Sequence, residues 1–192
     1  MRSSASTPNR SRSPRPIRLF VVLAGEDHPK ACTGRRLLRW GRVTSAPTHS
    51  PAGEAPVTLD PYAPTPLSAA DRATVERLGL LAVDCSWNRL GERGRFPDAT
   101  VGPGRRARRR RLPILIATNP QHYGRVAQLN TAEALAGALG VLGRMAEASR
   151  LLAGLAGGEE FVAVNRDRLE RYAGAGSAEE ILAAERALFG GG

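Results

Sequence analysis

The run Leu80-Leu81-Ala82-Val83, stopped by Asp84 and followed by Cys85-Ser86-Trp87, constrains this chain more than any other stretch. A short apolar run with abrupt polar ends reads as a buried strand. In open α/β sheets, ligands bind beyond the carboxyl ends of the strands. An acid at that point can hold a ribose, and a tryptophan can cover an apolar part of the same ligand. Both residues also have plain structural uses, Asp as a helix cap and Trp as core. Spacing alone leaves the two uses open.

Two more runs share this character. Ile17-Arg18-Leu19-Phe20-Val21-Val22-Leu23 is a strand candidate, and Leu112-Pro113-Ile114-Leu115-Ile116-Ala117 is another, with proline tolerated near its start. Between them the chain alternates. A polar loop leads to a short helix from Thr33-Gly34. Residues 44–66 hold six prolines and read as loop or weak strand. Ser68-Ala69-Ala70-Asp71 starts a helix that ends near Leu78-Gly79. From Asn130-Thr131-Ala132-Glu133 onward the pattern is helical, with helices predicted near 131–143, 145–156, 159–173 and 178–189. Strands alternating with helices make this an α/β chain.

Charge divides the sequence further. Residues 1–42 carry ten Arg/Lys against Glu26 and Asp27, and residues 105–130 carry seven against none. The last 62 residues carry six against nine, so the C-terminal third is acidic. A polyanion partner on one face, nucleic acid above all, fits that asymmetry. Lys30, Arg35 and Arg36 in the first block and Arg105, Arg106, Arg108, Arg109, Arg110 and Arg111 in the second are the candidate RNA-binding residues. Arginine suits bidentate phosphate contact, although a GC-rich genome also encodes it freely. The Arg105–Arg111 block repels itself and tends toward disorder. Residues 1–16, almost purely Ser, Arg and Pro, cannot order themselves.

Other chemistries find no support. Cys32 and Cys85 form no CxxC pair, and His28, His49 and His122 lack ligand spacing, so no metal site is expected. No GxxxxGK[ST] or strand-linked GxGxxG occurs. No apolar run reaches the length of a membrane span, and the basic N-terminus lacks the apolar core of a signal peptide. A cytoplasmic location is therefore expected. What remains is a set of strand-end and loop residues, Trp87 among the latter. Thr33 and Thr131 begin helices, whose free N–H groups and positive dipole end suit a carboxylate, although capping is their ordinary use. Asp84 suits two ribose hydroxyls, and Trp87 suits a sulfonium or its methyl. A nucleoside with an amino-acid tail and a sulfonium is S-adenosylmethionine, which the spacing permits without compelling.

An ordered series of motifs accompanies these residues: His28-Pro29-Lys30-x-Cys32-Thr33-Gly34-Arg35-Arg36-Leu37, Leu67-Ser68-x-x-Asp71, Asp84-Cys85-Ser86-Trp87, Leu112-Pro113-x-Leu115-x-Ala117-x-Asn119-Pro120, Tyr123-Gly124, Leu129-x-x-x-Glu133-Ala134, Phe161-x-x-x-Asn165 and Ser177-x-x-Glu180-Ile181-Leu182. From about residue 17 onward the chain resembles the ribosome-biogenesis rRNA aminocarboxypropyltransferase family. It departs from that pattern in a longer Arg-rich insert, at Gln121-His122 and Val126-Ala127, and in lacking a Trp near Gly157-Gly158.

The resemblance implies an N-terminal α/β domain over 17–79 and a SPOUT-like, cofactor-binding half over 80–192. That half would hold a deep trefoil knot and a helical tail. It implies transfer of the 3-amino-3-carboxypropyl group of S-adenosylmethionine to N3 of a pseudouridine, often N1-methylated, in small-subunit rRNA. Thr33 and Thr131 would hold the amino-acid tail, Asp84 the ribose, and Trp87 the methyl group. Backbone groups of Leu80, Leu112 and Ala127 would hold the adenosine part. The partner is small-subunit rRNA or a pre-ribosomal particle, and a monomer is expected. No catalytic base is assigned. A SPOUT-type RNA methyltransferase and a non-catalytic RNA-binding assembly factor remain open as alternatives.

Overall fold

The computed structural model describes residues 15–25, 32–46, 54–94, 96 and 108–190. Lys30, Arg105, Arg106 and residues 1–14 of the basic tail lie outside the described residues. Five parallel strands form one sheet in the order β2-β1-β4-β3-β5. They are β1 (Leu19–Leu23), β2 (Thr44–Ser45), β3 (Val57–Leu59), β4 (Leu80–Asp84) and β5 (Arg109–Arg110). The apolar run that dominates the sequence is thus the central strand. It pairs with β1 in the register Leu19↔Leu80 through Leu23↔Asp84, and with β3 through Val57↔Leu80. Parallel strands need helical crossovers on the sheet faces, which explains their near-continuous apolar character.

Eight helices accompany the sheet among the described residues: α1 (Thr33–Arg39), α2 (Arg72–Leu78), α3 (Trp87–Arg93), α4 (Thr131–Val141), α5 (Met145–Leu152), α6 (Gly158–Val164), α7 (Arg166–Gly174) and α8 (Ala178–Phe189). α4 is central. It packs on β4, α1, α5 and α7, and all its residues except Ala134 are buried. Its alanines and glycines let these neighbours approach closely. Leu37, Val57, Leu80, Leu115, Leu135, Leu139, Phe161, Tyr172 and Ile181 belong to one continuous core that runs across the whole chain.

Several expectations change. The division at position 80 separates no sheet, because β4 sits between two strands from the N-terminal segment. Side-chain bonds cross the same division: Glu147 accepts from Ile17 N (2.9 Å), and Arg42 donates to Leu151 O (3.0 Å). The predicted helix over 159–173 is two helices, α6 and α7, joined at the buried Asn165. The prolines at 44–66 leave room for two short strands, β2 and β3. Trp87 opens a helix rather than lying in a loop.

The third predicted strand is displaced. Leu112–Ala117 is extended but joins no ladder, and the strand proper is the arginine pair of β5. Two causes act together. Pro113 has no N–H to offer a ladder. The backbone of the segment is instead paired by side chains. Glu185 accepts from Ile114 N (2.9 Å), Tyr172 donates to Ile114 O (3.1 Å), and Asn165 bonds both Ile116 N and Ile116 O (2.8 Å each). On alternate residues the backbone pairs with the following loop: Ala127 N donates to Leu115 O, and Ala117 N to Arg125 O, each at 2.9 Å. One edge of this strand-like segment is therefore made of side chains from α7, α8 and the α6–α7 junction.

The arginine block is ordered from Arg108 onward, against the expectation of disorder. β5 runs beside β3 in the register Thr58↔Arg109, and its repulsion is offset by three buried acids. Arg109 pairs with Asp60 (3.1 Å), and Arg110 with Asp71 (2.9 Å), which Arg108 also approaches (3.5 Å). Arg111 holds Glu185 bidentately at 2.8 and 2.7 Å. Such fork-to-fork pairs are the strong form of the interaction.

Candidate functional site

A cleft of about 420 Å³ lies at the carboxyl end of the sheet. Residues that end or follow three parallel strands line it: Asp60 after β3, Asp84 closing β4, and Arg111 after β5. Apolar walls come from Leu90, Phe96, Leu112, Pro113 and Leu129. Thr33, Asp84, Trp87, Leu112, Ala127 and Thr131 all line it, so six of the seven positions expected to hold a cofactor meet in one place. Leu80 does not. It is fully buried at the opposite end of β4, roughly 13 Å away at strand rise, and its N–H is spent on Arg18 O at 2.9 Å.

Each threonine stands at the first position of its helix, yet neither caps it. In α1 the N-cap is Cys32, whose sulfur accepts from Arg35 N (3.4 Å). In α4 the N-cap is Asn130, whose Oδ1 accepts from Glu133 N (2.9 Å), while Glu133 reaches back to Asn130 N (2.9 Å). The hydroxyls of Thr33 and Thr131 make no hydrogen bond among the described residues. Two helix starts thus bring unspent hydroxyl donors to the cleft, where the helix ends also favour negative charge.

Asp84 is buried, 6 % exposed, and one of its oxygens is committed. Oδ2 accepts from Gly34 N and from the Cys32 thiol (3.2 Å), tying β4 to the start of α1. The helix-anchoring use of this acid is therefore real, though it serves a helix earlier in sequence. Oδ1 accepts no hydrogen bond among the described residues. The approach explains Gly34: an added Cβ would overlap Asp84 Oδ2 and lie 2.9 Å from Leu23 Cδ2. Burial pushes the Cys32 thiol up to about 11, so it remains a donor to the carboxylate.

Trp87 is half-buried, and its Nε1 donates to Leu129 O at 2.8 Å. That bond fixes the indole between α3 and the chain entering α4. Ala127 has φ 59°, the one positive-φ residue other than glycine among the described residues. Strain of this kind gathers where a site over-determines the backbone. Its N–H is used by Leu115 O, which leaves its carbonyl.

A buried carboxylate missed by sequence reasoning organises this end of the cleft. Glu133 accepts from Thr118 N (2.8 Å), Asn119 N (2.7 Å) and Asn119 Nδ2 (2.6 Å), besides completing the capping box. Thr118 Oγ1 in turn donates to Gly157 O (2.7 Å). Gly157 has φ 76°, and a Cβ there would overlap Thr118 O. The capping spacing Asn130-x-x-Glu133 is visible in the sequence, but nothing in it announces the second loop held by the same acid. Asp60 and Phe96 in the cleft wall also carried no signal. Among the described residues no group of three or more His, Cys, Asp or Glu is placed to hold a metal ion, and no helix is long and apolar enough to cross a membrane.

Residues 57–189 match the family model "Ribosome biogenesis protein, C-terminal". A 16S rRNA aminocarboxypropyltransferase of Halobacterium salinarum is 37 % identical over 178 residues, spanning 92 % of this chain and 99 % of the relative. One from Methanopyrus kandleri is 41 % identical over 167 residues, with 85 % and 94 % covered. Among solved structures, the SAM-dependent rRNA:acp-transferase Tsr3 from Vulcanisaeta distributa superposes with a TM-score of 0.70 at 32 % identity, covering 91 % of this chain and 99 % of that one. Its likeness extends to the α/β fold itself, a parallel sheet with helices. By the span and identity of these matches, the chain belongs to the ribosome biogenesis protein family that holds the 16S rRNA aminocarboxypropyltransferases.

Proposed function

We propose that this protein transfers the 3-amino-3-carboxypropyl group of S-adenosylmethionine to N3 of a pseudouridine, N1-methylated or not, in small-subunit rRNA, with release of 5′-methylthioadenosine. One observation carries the proposal. Two unspent threonine hydroxyls, the open oxygen of Asp84 and a pinned Trp87 converge on one cleft at the carboxyl end of a parallel sheet. The cleft has the size of a pocket for a small nucleoside, and its lining mixes apolar walls with polar groups in comparable share. The residues present fit S-adenosylmethionine in each part.

When bound, that cofactor supplies an electrophilic carbon joined to a sulfonium leaving group. The chain's own residues decide which carbon reacts. Thr33 and Thr131 donate to the carboxylate of the amino-acid tail. Asp84 accepts from a ribose hydroxyl through Oδ1. The Ala127 carbonyl and the backbone of Leu112 face the adenine. Trp87 covers the methyl, which leaves the aminocarboxypropyl carbon toward the acceptor. Rate then comes mostly from alignment of nucleophile, carbon and sulfur.

Arg35 and Arg36 of α1, beside Thr33, supply cations for rRNA or a pre-ribosomal particle. Arg108 to Arg111 are bound to buried acids and contribute mainly to the fold. The same reading gives the C-terminal half a SPOUT-like topology with a deep trefoil knot. The extended 112–118 segment, enclosed by side chains of later helices, fits that topology. The protein acts as a cytoplasmic monomer without a metal.

Product analysis tests the central claim. Purified protein with S-adenosylmethionine and small-subunit rRNA should release methylthioadenosine. Release of S-adenosylhomocysteine would instead make it a methyltransferase. Absence of S-adenosylmethionine binding by calorimetry would leave only an assembly factor.

A further inference from the structure

We propose that Trp40 is a stacking platform for a base of unpaired rRNA, on the ring face turned away from Arg42. The proposal rests on the rRNA reading above and names the form of the partner that meets α1. Trp40 is one of two tryptophans in the chain, and it stands 41 % exposed at the end of α1. A single exposed aromatic is ordinary. What sets this one apart is how it is held and what stands beside it.

The indole is pinned without being buried. The Arg42 guanidinium lies over its ring, 4.4 Å from the centroid. Arg42 is itself fixed, because its Nη1 donates to Leu151 O (3.0 Å) and to Ala153 O (2.5 Å). Those carbonyls close α5, where a helix end leaves acceptors open. A cation held on one face of the ring leaves the opposite face as the one a ligand can cover. The indole Nε1 makes no hydrogen bond among the described residues. A platform held this way loses little freedom when a base lands on it.

Cations stand in line with it. Gly34 and Leu37 turn one side of α1 into the core, which leaves Arg35, Arg36 and Arg39 on the outer side. A spacing of four places Arg35 beside Arg39, and Arg36 beside Trp40. Arg35 and Arg39 are exposed and Arg36 is half-buried, and none of the three makes an ion pair among the described residues. The other end of the helix is Thr33, which lines the cleft. Trp40 lies about 10 Å from it along the axis, roughly three nucleotides at the rise of a stacked strand. A polyanion following this line passes its phosphates over the arginines and reaches the indole.

This combination selects one kind of nucleic acid. Surfaces that hold single strands join cations for the backbone to aromatic rings for the bases. In a duplex the base faces are covered by their neighbours, so a surface indole reaches only edges and backbone. Arginines alone bind either form through phosphates. The indole adds the preference for unpaired RNA. The base it takes is an unpaired neighbour of the acceptor, since the acceptor itself must enter the cleft.

The test uses the full chain without cofactor and two probes, oligouridylate of about ten nucleotides and the same strand annealed to oligoadenylate. Fluorescence anisotropy across a salt series gives affinity and slope. Trp40→Ala should weaken single-strand binding about 10- to 50-fold at fixed salt. The slope of log affinity against log salt should stay as in wild type, since no phosphate contact is lost. Duplex binding should change by less than about twofold, and Trp40→Tyr should bring single-strand binding back to within about threefold of wild type. A Trp40→Ala protein that binds the single strand within about twofold of wild type overturns the proposal. So does an equal loss on both probes, or a loss that Trp40→Tyr does not relieve, because the indole would then act only on the fold through Arg42. Wild-type protein that prefers the duplex overturns it too. With no cofactor present, these outcomes stand apart from the product analysis. A protein that passes them yet yields no methylthioadenosine keeps the platform and loses the transfer reading.

Discussion

At the scale of single residues, the site depends on a division of labour at two helix starts. Cys32 and Asn130 satisfy the helix ends, so Thr33 and Thr131 are free to serve a ligand. Stability and binding should therefore separate by mutation. Thr33→Val and Thr131→Val keep shape and lose only a hydroxyl. Each should weaken S-adenosylmethionine binding about tenfold, for a lost hydrogen bond to a charged group of roughly 1.5 kcal/mol, with the melting temperature nearly unchanged. Asn130→Ala should do the reverse and cost about 1 kcal/mol of stability. Calorimetric titration and thermal melts of the three variants check this. A Thr131→Val protein that melts early and binds normally would return the threonine to a capping role.

At the scale of elements, the segment from Leu112 to Thr118 shows how far sequence patterns reach. β1 and β4 were legible because an apolar run between polar ends has one good solution in a parallel sheet. The start of α4 was legible because Asn130 and Glu133 stand three apart. Leu112–Ala117 has the same apolar look as those strands, but Pro113 and three distant side chains decide its pairing. Asn165, Tyr172 and Glu185 lie 49 to 71 residues away from the backbone atoms they satisfy, and no local pattern encodes that. Asp60 and Asp71 are equally silent in the sequence as partners of the arginines, so the block reads as self-repelling where the chain forms a strand.

Two variants test the side-chain edge. Asn165→Ala leaves Ile116 N and Ile116 O without partners, while Phe161 O keeps the backbone N–H of residue 165 (3.1 Å). It should destabilise by roughly 2–4 kcal/mol, at 1–3 per stranded buried group. Urea unfolding measures this, and hydrogen exchange should show faster opening at Ile116. Tyr172 adds a pH signature. Burial first, and then the Glu185 carboxylate, raise its phenol to about 12 from an ordinary value near 10. A group that holds its proton more tightly when folded stabilises fully below its unfolded pKa. That contribution is lost as pH rises from 10 through 12. Tyr172→Phe should lower stability by about 1 kcal/mol at pH 8 through the lost bond to Ile114 O. It should also flatten the alkaline decline between pH 10 and 12. A decline as steep as that of wild type would remove the tyrosine from it.

For the molecule as a whole, the net charge of +10 conceals two kinds of arginine. Arg109, Arg110 and Arg111 hold sheet and tail together through Asp60, Asp71 and Glu185, acids that are all nearly buried. Arg35, Arg36 and Arg39 stand on α1, whose first residue lines the cleft, and make no ion pair among the described residues. A polyanion meeting the cleft should feel the second set. Each phosphate contact adds about 0.9 to the slope of log affinity against log salt for duplex and about 0.7 for single strands. Replacing Arg35, Arg36 and Arg39 with glutamine should therefore reduce that slope for rRNA by about 2–3, with the fold intact. Replacing Arg109 and Arg110 with glutamine should leave the slope alone. It should lower stability by roughly 3 kcal/mol instead, because Asp60 stays buried without its guanidinium and Asp71 keeps only the more distant Arg108. Filter binding across a salt series, run beside thermal melts, separates the two sets. A β5 variant that melts like wild type yet loses its salt dependence would put the RNA surface on the sheet edge and take α1 out of it.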